Sequence, residues 1–163
     1  MNEPSGLPEG VVAAHHTDAA RRTGCTVFLF EEGARAAFHR VGPATATRHM
    51  DPFSASGGER LLHGLVLTGG SAFGLGCTNG VMRVLRERGI GVPTRGGPVP
   101  RVPAAVIFDL ASGDADAWPS EADAEAAARR ARWAPLAEGR VGVGTGALVG
   151  KALGPEHASN GGF

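Results

Sequence analysis

The apolar positions of the chain change period several times, and each change marks an element. "LLHGLVLT", Leu61 to Thr68, is a nearly unbroken apolar run, the pattern of a buried strand. "AAVIFDL", Ala104 to Leu110, predicts a second such strand. Between them the period lengthens to four. Phe73, Cys77, Val81 and Leu85, with Val84 alongside, form one stripe, so Ser71 opens a predicted helix. Arg83, Arg86 and Arg88 crowd its end, where cations complement the helix dipole, and Gly89, Gly91 and Pro93 stop it. "EADAEAAARRARWA" predicts another helix, with Ser120 as its cap and Asp123 as the acid of a capping box.

Upstream, "VVAAHHTD" (Val11 to Asp18) runs from apolar to polar. "CTVFLFEEGARAAFHRVG", Cys25 to Gly42, reads as a hairpin. Thr26 to Phe30 is rich in β-formers, "EEG" turns the chain, and Ala34 to Val41 returns. Asp51 to Arg60 and the proline-rich Val92 to Pro103 are loops, and Gly139 to Gly154 is a glycine-punctuated strand and turn. There is no internal repeat. Strands before and between helices favour a mixed, layered α/β fold.

Composition narrows the function classes. At 163 residues, 42% hydrophobic and 20% charged, the chain folds, and it has the length of one domain. Sixteen basic residues balance sixteen acidic ones, so nothing points to nucleic acid. The 26 glycines leave few large side chains for a core, which suggests that part of the core is supplied from elsewhere. Cys25 and Cys77 sit in apolar runs and read as buried free thiols. The N-terminal stretch lacks the basic and apolar regions of a signal peptide, and no apolar run reaches membrane-spanning length. The expectation is a cytoplasmic protein that needs no membrane.

Five glycines, Gly69, Gly70, Gly74, Gly76 and Gly80, stand where a stable helix wants none. "GGSAF" approaches the nucleophile elbow G-x-S-x-G, but Phe73 occupies the last glycine's place. Ser71 therefore reads as a helix N-cap. Gly69, Gly70 and the first helical amides can instead line a pocket for a carboxylate or oxyanion. "GVGTGALVGKA" satisfies neither phosphate motif well: Thr145 stands at the Walker glycine and Ala152 follows the lysine, while Gly142 to Ala147 fits G-x-G-x-x-A as a lone match with no helix of useful length after it. The six histidines show no metal-ligand spacing, so no metal or cofactor is expected. Lys151 is the only lysine beside fifteen arginines. A group that must release or share a proton cannot be arginine, which makes Lys151 a catalytic candidate. Phe108-Asp109 ends a buried strand, where an acid could face a pocket or cap the next turn.

Taken in order, "GCTVFLFEEGARAAFHRVG", "VLTGGSAFGL", "GVMRVLRERGIGVP", "VPRVPAAVIFDL", "VGVGTGALVGKALG" and "GGF" resemble the L-aminopeptidase/D-esterase family, the DmpA-type self-processing hydrolases. The resemblance implies an α/β/β/α sandwich related to ornithine acetyltransferase, of which this chain is about half. It also implies a precursor that cuts itself before a Ser or Thr. That residue then becomes the nucleophile at the head of a second, β chain. Substrates would be small peptides, amides or esters; relatives open nylon oligomers. On this resemblance Lys151 matches a lysine that assists the nucleophile, Phe108 stands where some members carry a tyrosine, and Gly69, Gly70 and Ser71 match the glycine turn. Phe108 lacks the tyrosine's hydroxyl, Cys77 replaces an acidic residue or alanine, and "ATATRHMD" replaces the usual G-T-R-E run.

The family's oxyanion asparagine and its Asn-Ser or Asn-Thr junction would fall beyond Phe163. The expectation is thus an α-chain portion, residues 1–163, with 1–9 flexible, whose partners are its β chain and further copies of itself. Alone, it should be inactive. The competing reading is a catalytically dead homologue that binds a small ligand or dimerises.

Overall fold

The structure, a computed structural model, describes residues 6–58 and 60–161. Five strands make one sheet: β1 (Val11–Asp18), β2 (Thr23–Arg35), β3 (Thr47–Arg48), β4 (Leu61–Thr68) and β5 (Ala104–Val106). Their spatial order is β1-β2-β4-β5-β3. β4 and β5 run parallel, and the other neighbours are antiparallel. Two helices, α1 (Cys77–Glu87) and α2 (Glu121–Arg130), pack on one face. A two-stranded ribbon, β6 (Leu148–Val149) with β7 (Ser159–Asn160), lies outside the sheet.

The period-two alternation of β2 explains the layering. Cys25, Val27 and Leu29 are fully buried against Val66, Val81, Val84, Leu85, Ala124, Ala127 and Ala128. Thr26, Phe28 and Leu67 point to the opposite face, where with Ile107 they line a cavity of about 610 Å³. Phe28 and Leu67 are only half-buried there. The sheet therefore has one face sealed by helices and one apolar face partly open.

The hairpin lies one element earlier than its sequence suggests. β1 pairs with β2 from Val11↔Phe30 to Asp18↔Thr23. The Asp18 carboxylate ties its turn, accepting from the Arg21 amide at 2.9 Å and from Arg21 Nε at 2.6 Å. "EEG" does not reverse the chain. β2 runs straight through it, and the register against β4 shifts between Leu29 and Ala34. Gly33, at φ +78°, bends the strand as a bulge instead of turning it. The strand predicted to reach Leu110 ends at Val106.

Ser120 does cap α2: its Oγ accepts from the Asp123 amide at 3.2 Å while Asp123 Oδ2 accepts from the Ser120 amide at 2.9 Å. Ser71 caps nothing. Residues Ser71–Gly76 form a 3-10 turn, Gly70 precedes it, and no side chain caps it. α1 proper begins at Cys77, so Phe73 falls off the buried stripe and is 59% exposed. α1 and α2 cross closely because Gly80 has no Cβ, which would collide with the Glu121 carbonyl. Gly74 is likewise pressed on the Gly69 carbonyl, whereas Gly76 has open space around it. Across the crossing, Arg83 pairs with Glu121 (3.2 Å) and with Glu125, and Arg129 bridges Glu87 (2.8 Å) and Glu125 (2.7 Å).

The expectation of flexibility for residues 1–9 lies partly outside the described residues. From Gly6 on, the segment is tied: the Leu7 carbonyl accepts from Trp133 Nε1 at 3.2 Å and Pro8 from the Val11 amide at 3.2 Å. Of the "GGF" segment, Gly162 and Phe163 also lie outside the described residues.

Candidate functional site

Parallel β4 and β5 finish at the same edge of the sheet, and the backbone beyond them stays joined. The Ile107 amide donates to the Thr68 carbonyl at 2.9 Å, and the Ser71 amide to the Ile107 carbonyl at 3.0 Å. Asp109 locks the junction. Buried to 3% exposure, its Oδ1 accepts from the Gly70 amide at 2.6 Å and its Oδ2 from the Thr23 hydroxyl at 2.9 Å. The Gly69 amide donates to the Gly24 carbonyl at 2.9 Å. Gly70 sits at φ +79° with Trp118 where a Cβ would be, so no other residue fits without displacing the tryptophan.

This geometry corrects one expectation. Gly69, Gly70 and Ser71 do not offer open amides to an oxyanion, because all three N–H groups are used inside the fold. What they offer is a rigid wall. Ser71 itself has φ +52°, a left-handed conformation outside the extended geometry of an N-cap residue, and it makes no capping bond.

Lys151 reaches the same place from a distant part of the chain. The turn Gly142–Thr145 is pinned on the open face of the β1–β2 hairpin. The Gly142 amide donates to Thr17 Oγ1 at 2.8 Å and the Val143 amide to Thr26 Oγ1 at 3.2 Å. The β6–β7 ribbon follows, closed by the Gly161 amide on the Ala147 carbonyl at 2.9 Å. After Gly150, at φ +83°, Lys151 begins a short 3-10 turn. Its exposed Nζ donates to the Phe108 carbonyl at 3.4 Å. Phe108 is 57% exposed. Gly69–Ser71, Phe108 and Lys151, dispersed in sequence, are thus neighbours at one edge. Beside them Phe73 and Trp118 stack, ring centroids 4.5 Å apart and 17° from parallel.

The 610 Å³ cavity is a separate feature of the open face. It is lined by Phe28, Leu67, Ile107 and His15 among others, and by none of Lys151, Phe108, Gly69, Gly70 or Ser71. His15 Nε2 donates to the Ala137 carbonyl at 3.0 Å, and its Nδ1 hydrogen-bonds the Thr26 hydroxyl at 2.9 Å. Sequence reasoning passed over this pair, although His15 and Thr26 face each other in the hairpin register. It also passed over Trp118, which stands in an apparently loop-like stretch and carries no motif. Among the described residues no group of three or more His, Cys, Asp or Glu could hold a metal, and no helix is long and apolar enough to cross a membrane.

Residues 9–154 match the model of peptidase family S58. The chain belongs to this family. Its S58 relatives include an uncharacterized aminopeptidase of Mycobacterium tuberculosis (strain ATCC 25618 / H37Rv), 42% identical over 131 residues, which are 80% of this chain and 38% of that protein. A 6-aminohexanoate-oligomer endohydrolase of Agromyces sp. (strain KY5R) is 32% identical over 85% of this chain and 36% of its own length. The chain thus spans about two fifths of the length of the curated relatives it matches. Among solved structures, the L-aminopeptidase D-Ala-esterase/amidase of Ochrobactrum anthropi, an N-terminal-nucleophile hydrolase fold variant, superposes with a TM-score of 0.68. That match is at 20% identity over 89% of this chain and 44% of that one. A Burkholderia sp. beta-aminopeptidase gives 0.64 at 23% identity, over 90% and 43%. The S58 chain therefore carries about half of that fold, one sheet with its helical layer.

Proposed function

We propose that this S58 chain is the α-chain portion of a self-processing hydrolase that releases N-terminal residues from small peptides, amides or esters. One observation carries the reading. The glycine turn, Phe108 and Lys151, each matched to a family position by the resemblance, meet at one sheet edge from three separate parts of the chain. The names of its relatives, an aminopeptidase and an amide-oligomer hydrolase, support the reaction class.

In this reading the nucleophile, a Ser or Thr freed by self-cleavage, belongs to a β chain packed on the open apolar face. Lys151 stands where its ammonium can assist that nucleophile. A cation there disfavours the protonated form of a neighbouring amine, leaving more free base at neutral pH. It can also steady the attacking oxygen by a charge-assisted hydrogen bond. Phe108 and the wall built by Gly69, Gly70 and Ser71 border the substrate. The assembly is cytoplasmic and oligomeric.

The test replaces the matching segment of the mycobacterial relative with this chain. Precursor cleavage and turnover of small peptide amides by the chimaera, with neither by the 163-residue chain alone, is the expected result. Robust turnover by the purified chain alone would end the reading and return Ser71 to consideration as nucleophile.

A further inference from the structure

We propose that Cys25 and Cys77 form a disulfide-exchange site, at which a low-molecular-weight disulfide ties β2 to the first residue of α1 beneath the glycine turn.

Both thiols are fully buried and free, and both belong to the core cluster between sheet and helices. The strand register brings them together. Cys25 lies directly opposite Thr68 across β2 and β4. Residues opposed in this way share a face, with Cβ atoms about 5 Å apart. Cys77 Sγ lies 3.6 Å from that same Thr68 hydroxyl. Thr68 thus touches one sulfur and is the strand partner of the other, and both sulfurs belong to one core cluster. No other cysteine competes for either.

In the folded chain the Cys77 thiol donates to the Pro119 carbonyl at 3.3 Å. Once opening frees the pair, either thiolate can attack the small disulfide, forming a mixed disulfide and expelling one small thiolate. The other protein sulfur then displaces the second small thiolate and gives up its proton. Two protein thiols lose two electrons, and the small disulfide gains them as two thiols. Because both sulfurs are buried, exchange occurs during folding or local opening.

The consequence falls on the neighbouring turn. Thr68 is the last residue of β4, and Gly69 to Gly76 span the whole connection from Thr68 to Cys77. Fixing Cys77 to the sheet anchors the far end of that connection.

The test is refolding of the 163-residue chain in glutathione buffers of graded oxidised-to-reduced ratio, followed by alkylation, intact mass and peptide mapping. Refolding removes the question of access. The expected product is a single intrachain Cys25–Cys77 linkage, reversed by reductant. It should raise Tm by at least ~5 °C and slow hydrogen exchange at Gly69–Gly76 at least ~10-fold. Cys25→Ser and Cys77→Ser should each abolish the redox dependence of Tm. Two alkylated thiols after refolding in the most oxidising buffer would overturn the proposal. So would persistent glutathione adducts, linkage between molecules, or a linkage that lowers Tm.

Discussion

Asp109 carries more of the candidate site than any motif residue. One carboxylate holds the Gly70 amide and the Thr23 hydroxyl, both in the interior. Asp109→Ala leaves both donors without a partner, and each orphaned donor costs about 1–3 kcal/mol. Urea denaturation should show a loss of at least ~2 kcal/mol for Asp109→Ala. Asp109→Asn should cost less, because its amide oxygen can still accept from Gly70. Ser71 is the contrasting case. A lost N-cap costs about 1 kcal/mol, but here no capping bond exists. Ser71→Ala should fall within about 0.5 kcal/mol of the parent by the same measurement, as for a substitution that removes no packing or pairing. A loss above 1 kcal/mol would mean that the hydroxyl has a role which the geometry does not reveal.

Elements were legible in the sequence wherever one local rule governed them. The capping box of α2 and the apolar run of β4 were read correctly because their causes lie within a few residues. The hairpin was misplaced because "EEG" has the composition of a turn, while Gly33's positive φ serves equally well for a bulge. Gly80 was legible only as an anomaly; its reason, the Glu121 carbonyl of α2, lies 41 residues away. Gly80→Ala should therefore destabilise by about 1–3 kcal/mol, the cost of overpacking, although alanine is the better helix former. β4 also carries a pH-dependent contact. His63 Nδ1 accepts from the Arg101 amide at 3.1 Å, so it must be unprotonated. Burial and then the Arg101 charge lower the affinity of His63 for a proton in the folded state. The unfolded chain then binds more protons, so stability is complete above the unfolded value of about 6.5 and falls as pH drops below it. His49 is lowered by burial and then Arg101, and adds in the same direction. Urea midpoints at pH 7.5 and 5.5 should differ less for His63→Gln than for the parent, since glutamine can accept the same bond without titrating.

On the scale of the whole molecule, the sequence suggested both a deficit of core-filling side chains and an α/β layering. The structure locates the deficit on one face of one sheet, where Phe28 and Leu67 stay half-buried. The convergence of the glycine turn, Phe108 and Lys151 could not be read from spacing, since it depends on the parallel ends of β4 and β5 and on the path of the β6–β7 ribbon. If the open face seats a β chain, Phe28→Lys should leave the isolated chain folded by circular dichroism, because that side chain is outside the helical core. It should prevent co-purification with the remaining part of the relative. The most direct measurement is kcat for hydrolysis of a small peptide amide by the chimaera and its Lys151→Met and Lys151→Arg variants. The account predicts at least a ~100-fold fall in kcat for Lys151→Met, the lower end of what a positioned proton-transfer group supplies. No rescue is expected from Lys151→Arg, whose wider planar guanidinium cannot place its charge and donors where the compact ammonium does. Wild-type turnover by both variants would make Lys151 a surface lysine and contradict the assignment.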